Sequence, residues 1–139
     1  MHADLVLNTS DASGAVLAWG SHFGGWSLYL DRGRPSFTFA RSTDPEETST
    51  VRSERTLPQG ASRLTFRFAS LGFGKGADVV LLSSGAEFAR VQLPSNMLMP
   101  AGGGETMDVG RDLGVTVTDY ATPRGAIEGD VPHVSIDFD

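Results

Sequence analysis

Apolar and polar positions along this chain recur mostly with a period of two. Segments 3–7, 14–19, 26–30 and 35–40 are short apolar or alternating runs, and Gly, Ser, Asn and Asp separate them. A period of two sends successive side chains to opposite faces, which is the signature of a strand. Segment 63–68 is the clearest case: Leu64, Phe66 and Phe68 share one face, and Arg63, Thr65 and Arg67 the other. Two hairpins follow from turn chemistry. One joins 27–30 to 35–39 through Asp31-Arg32-Gly33-Arg34; the other joins 78–82 to 86–91 through Ser83-Ser84-Gly85. Segment 133–139 alternates again, with His133, Ser135, Asp137 and Asp139 opposite Val134, Ile136 and Phe138. Gly or Pro interrupts most windows long enough for an amphipathic helix. The pattern predicts an all-β chain of about ten to twelve strands, arranged as an antiparallel two-sheet β-sandwich. Segments 41–50 (RSTDPEETST) and 96–105 (NMLMPAGGGE) read as loops.

Composition narrows the function more than the fold. The 139 residues form one domain, 1–139, because a single core serves a chain of this length. There is no cysteine, so disulfides, thiolate metal sites, a Cys nucleophile and a redox switch are all excluded. With 17 acidic against 11 basic residues, the net charge of -6 disfavours a nucleic-acid partner. No apolar run approaches the roughly 20 residues that span a bilayer, and no basic head with an apolar core opens the chain. The expectation is a soluble protein, cytoplasmic or periplasmic, with no membrane partner.

Candidate chemistry is sparse. Gly72, Gly74, Lys75 and Gly76 look like a phosphate-cradling loop, but the Lys is not followed by Ser or Thr and the sequence runs on into a strand. A tight turn is the expected reading. Asp108, Asp112 and Asp119, with Asp130, are candidate oxygen ligands for a structural Ca²⁺, although their spacing matches no EF-hand loop. Arg111 opposes that role; the favoured reading is a structural ion pair of a partly buried Arg111 with Asp112 or Asp119, or turn capping by these acids. Trp19, His22, Phe23, Trp26 and Tyr29 are candidates for ligand or interface contacts, with core packing as their ordinary role. The polar face of 133–139 reads as a solvated outer face, and neither Ser21-His22 nor any other pair defines a nucleophile.

At positions 20–30 (GSHFGGWSLYL) the chain begins to resemble the non-catalytic C-terminal β-sandwich region of large bacterial arylsulfatases. Leu57-Pro58-Gln59-Gly60, Gly72-Phe73-Gly74-Lys75-Gly76, Asp108-Val109-Gly110-Arg111-Asp112 and Val134-Ser135-Ile136-Asp137 follow in that family's order. The resemblance runs from about position 15 to the end. It departs from the pattern at 40–45, where a Tyr-rich segment is usual, and at 78–85, which lacks the usual Tyr and DGK turn.

The resemblance implies a concanavalin A- or laminin-G-like jelly roll that packs on a sulfatase catalytic domain, in cis or in trans. It also implies no sulfatase activity in this polypeptide. Sulfatases mature a Cys or Ser in a Cys/Ser-x-Pro-x-Arg context to formylglycine beside a metal-binding carboxylate cluster, and no such context occurs here. The chain is thus expected to be a non-enzymatic accessory domain without a cofactor, with self-association through its docking face. The alternative is a free-standing carbohydrate-binding module with a glycan partner. A small hydrolase or lyase using a carboxylate pair is the third reading, and it requires two carboxyls about 5–10 Å apart in a cleft.

Overall fold

The computed structural model describes residues 1–94 and 107–137. Their strands are β1 (His2–Leu7), β2 (Gly14–Ser21), β3 (Gly24–Asp31), β4 (Arg34–Ala40), β5 (Thr48–Arg52), β6 (Gly60–Ser70), β7 (Ala77–Ser83), β8 (Ala86–Leu93), β9 (Met107–Val109) and β10 (Gly129–Ser135). They form two antiparallel five-stranded sheets, β10-β1-β6-β7-β8 and β5-β4-β3-β2-β9. The fold is an all-β sandwich, and helix among the described residues is limited to 3-10 turns at Pro45–Glu47 and Pro123–Gly125.

The period of two decides which residues meet between the sheets. Leu5, Leu7, Leu64, Val79 and Leu81 bury the inner face of the first sheet. Val16, Leu28, Leu30, Phe37 and Phe39 bury that of the second, and Leu57 plugs the core from a connecting segment. Both predicted hairpins form with two-residue turns. Arg32 and Gly33 have φ of 52° and 82°, and Ser84 and Gly85 have 52° and 77°, the paired positive values that match strand twist. The Gly72–Gly76 stretch is a turn between β6 and β7, closed by Lys75 N–H to Gly72 O (3.0 Å) and Leu71 N–H to Gly76 O (3.0 Å). Gly76 has a φ of +94°, and a Cβ there would lie 2.1 Å from Leu93 O, so only glycine lets β8 pass this close.

Three strands differ from the expected pattern. The last three residues of 41–50 belong to β5, whose sequence TSTVR carries only one apolar side chain, Val51, against the core. As an edge strand β5 needs little apolar alternation. β10 begins at Gly129, four residues earlier than expected, and contains Pro132; an edge strand tolerates a residue that cannot donate to the ladder. β9 is a three-residue strand, too short for any periodic signal. The 96–105 loop lies outside the described residues, as do Phe138 and Asp139.

Candidate binding surface

The outer face of the second sheet is built from small hydroxylated side chains. Tyr29 on β3, Thr38 on β4 and Thr50 on β5 form a chain of hydroxyls, with Tyr29 Oη to Thr38 Oγ1 at 3.0 Å and Thr38 Oγ1 to Thr50 Oγ1 at 2.9 Å. Register places them together, since Thr38 pairs with Thr50 and with Ser27 beside Tyr29. Segment 110–128 covers part of this face. Tyr120 packs edge-on against Tyr29, with ring centroids 5.5 Å apart, and its hydroxyl meets Ser27 Oγ at 2.8 Å.

Asp112 anchors that cover. It is 1% exposed, and its Oδ2 accepts hydrogen bonds from the Tyr120 hydroxyl and the Val117 backbone N–H (2.9 Å). A carboxylate only accepts, so the Tyr120 proton goes to Asp112 and the Ser27 hydroxyl donates to Tyr120. Burial pushes the Asp112 carboxyl above its usual range. The two donated hydrogen bonds pull it back in part, and the Asp108 carboxylate adds to the rise. Burial, reinforced by Asp112, likewise raises the Tyr120 phenol.

Beside the cover lies an open cavity of about 410 Å³. Its floor is the uncovered end of the sheet, at Ala40, Thr48 and Thr50. Ser42, Thr43 and Pro45 line one side and Val117 and His22 the other. Thr116 O ties the His22 turn to the cover, accepting from His22 N–H (3.0 Å) and from Nδ1 (3.2 Å). A carbonyl only accepts, so Nδ1 donates here, and in the tautomer protonated on Nδ1 alone the acceptor lone pair lies on Nε2.

A second, apolar cavity of about 370 Å³ opens at one end of the sandwich, lined by Met1, Trp26, Phe66, Phe68, Met107 and Ile136. Phe68 is 45% exposed there, and Phe73, in the turn just beyond β6, is 89% exposed.

The aromatic candidates separate accordingly. His22 and Phe23 sit exposed at the β2–β3 turn with ring centroids 4.2 Å apart. Trp19 and Trp26 are cross-strand partners, and Trp26 packs on the core through Phe37. Tyr29 is buried, with its hydroxyl committed to Thr38.

Of the two expected roles, Asp112 takes turn capping and not the ion pair. Arg111 is exposed and forms no ion pair among the described residues, because the turn after β9 sends Asp112 inward to neutral donors. Asp108 accepts from Leu113 N–H (2.8 Å), and Asp119 is exposed. Among the described residues no group of three or more His, Asp or Glu side chains is gathered to hold a metal ion.

Sequence reasoning missed Thr48, Thr50, Ser42, Thr43 and Val117. The first four fall in a polar run without periodicity, and Val117 reaches the cavity only through contacts distant in sequence. No signal in the sequence joins His22 to Thr116. Comparison with protein-family models, curated proteins and solved structures finds no significant match to this chain. No helix among the described residues is long and apolar enough to cross a membrane.

Proposed function

We propose that this chain is a non-catalytic accessory β-sandwich of the kind found in bacterial arylsulfatases, packing on a sulfatase catalytic domain. The concanavalin- or laminin-G-like jelly roll belongs with that reading. The observation that carries it is where the motif residues lie. Gly76 lets β8 pass, Gly25 sits where a Cβ would meet Trp19 O at 2.3 Å, and Asp112 holds the outer cover. These positions serve the scaffold and are spread over both sheets; they do not converge on a cleft. An accessory domain needs its motif for shape, whereas an enzyme needs it at a reacting centre.

The exposed apolar end supplies a docking surface. Phe68, Phe73, Met107 and Ile136 are each more than two-fifths exposed, an arrangement suited to covering by another protein surface. The test is gel filtration of this chain with a bacterial arylsulfatase catalytic domain produced without its own sandwich. A stoichiometric complex that Phe73→Ser abolishes is expected. The chain alone is expected to leave an aryl sulfate intact. Turnover of aryl sulfate by the isolated chain, or the lack of any complex, would overturn the proposal.

A further inference from the structure

We infer that the hydroxyl-lined cavity on the outer face of the second sheet is a binding site for a neutral sugar ring. The inference does not rest on docking to a catalytic domain, because the apolar end and this cavity share no lining residue.

Size is the first argument. A volume of about 410 Å³ lies in the range of small-molecule sites and suits one or two sugar rings. The chemistry of the lining is the second. A pyranose offers hydroxyls around its rim and apolar C–H groups on its faces. The cavity matches that division, with Pro45, Ala40 and Val117 apolar and Ser42, Thr43, Thr48 and Thr50 hydroxylated.

The polar groups also have capacity left. Ser42 Oγ accepts from Asp44 N–H (3.1 Å), which leaves its own proton to donate. The Thr43 hydroxyl has no partner among the described residues, so it can both donate and accept. His22 spends only Nδ1 on Thr116 O, which leaves Nε2 for a ligand. Thr50 is the exposed end of the hydroxyl chain from Tyr29 and Thr38, and such a chain can reverse its direction to donate or accept as the ligand requires. Phe23 is exposed and packs against the lining residue His22, with ring centroids 4.2 Å apart.

Charge decides for a neutral ligand over a sulfate or phosphate. Arg41 is the nearby cation, and its guanidinium is paired with Glu47 at 3.5 Å, which also closes the loop bearing Ser42, Thr43 and Pro45. No Lys or Arg is among the residues that line the cavity, so the lining offers an anion no fixed positive charge. The preformed walls favour binding without large rearrangement, but a single ring in an open site fits a dissociation constant on the order of millimolar.

The test is backbone amide NMR of the full chain titrated with the methyl glycosides of glucose, galactose, mannose and N-acetylglucosamine, and separately with inorganic sulfate and phosphate. At least one glycoside is expected to shift amides of residues 22–23, 42–50 and 116–117 in a saturable way. Thr43→Val removes a hydroxyl that has no structural partner, and Thr43→Trp fills the cavity from an exposed position. Both are expected to weaken binding about tenfold or more while the remaining amide spectrum keeps its folded dispersion. The inference is overturned if no glycoside shifts these amides at tens of millimolar, if the shifts fall elsewhere, or if Thr43→Trp binds as the parent chain does. It is equally overturned if sulfate or phosphate alone saturates the same amides.

Discussion

Replacing Asp112 separates the two things its carboxyl does: accepting hydrogen bonds and carrying a buried charge. In Asp112→Ala the Val117 N–H loses its acceptor where the parent side chain is 1% exposed. A buried amide left unpaired costs about 1–3 kcal/mol. Tyr120 loses less, since its hydroxyl can turn to Ser27 Oγ at 2.8 Å. Removing a desolvated carboxylate returns part of the loss. The expected net destabilisation is about 1–3 kcal/mol, a fall in Tm of roughly 3–10 °C for a domain of this size.

Asp112→Asn keeps an oxygen for both donors and removes only the charge, so it should lie within about 1 kcal/mol of the parent at pH 7. Their pH dependences then differ with a definite sign. Burial raises the folded-state value of Asp112 above the ordinary 3.8. The folded chain therefore holds the proton more tightly than the unfolded chain between those two values. This contribution to stability is present below 3.8 and is lost as pH rises through the folded-state value. Urea unfolding followed by Trp19 and Trp26 fluorescence from pH 3.5 to 8 measures it. Asp112→Asn should gain on the parent as pH rises across that window and run parallel above it. If Asp112→Ala is as stable as Asp112→Asn, the hydrogen-bond argument fails. If Asp112→Asn instead loses ground to the parent as pH rises, the burial argument fails.

Phe37 is 2% exposed and its ring lies 4.8 Å from that of Phe66 across the sandwich, so Phe37→Ala should cost about 3–5 kcal/mol, read as a lower urea midpoint at unchanged m. Gly76→Ala and Gly85→Ala test the two demands on glycine. Both positions have positive φ, but an added Cβ lies 2.1 Å from Leu93 O at Gly76 and meets nothing within 4 Å at Gly85. Gly85→Ala should cost about 1 kcal/mol and Gly76→Ala about 3 kcal/mol or above, and equal costs would contradict the close approach. The Arg63 guanidinium, 2.8 Å from Asp4, holds that carboxyl below the usual Asp range. NMR titration of Asp4 should therefore move upward in Arg63→Gln, and an unchanged midpoint would exclude the contact in solution.

The parts of the fold that were legible in the sequence are those whose faces differ in chemistry. β6 and β7 alternate or run apolar because one face meets the core, and the turns at Arg32-Gly33 and Ser84-Gly85 are marked by glycine in the position that needs it. β5 was illegible because an edge strand gains its place from backbone pairing with β4 and buries one apolar side chain. β9 was illegible because three residues cannot show a period. At the candidate site, His22 and Phe23 stood out as aromatic residues beside turn glycines. The hydroxyl chain did not, because Tyr29, Thr38 and Thr50 are ordinary strand residues until three strands align them. The Arg111–Asp112 pairing read from adjacency failed for a similar reason. Consecutive side chains at a turn diverge, and the partners of Asp112 lie five and eight residues onward.

Asp112 also joins the scaffold to the cavity. One wall is Val117, whose N–H it fixes, and the next residue back, Thr116, holds the His22 turn. The floor is held separately by β4–β5 pairing, and the opposite wall by the Arg41–Glu47 pair. Loss of the Asp112 carboxyl should thus loosen one wall and leave the other two supports in place. Asp112→Ala is expected to weaken glycoside binding and lower Tm together, whereas Thr43→Val weakens binding with Tm unchanged. A sugar affinity that survives Asp112→Ala intact would show that the wall is not held through this carboxylate, even if the cavity itself binds.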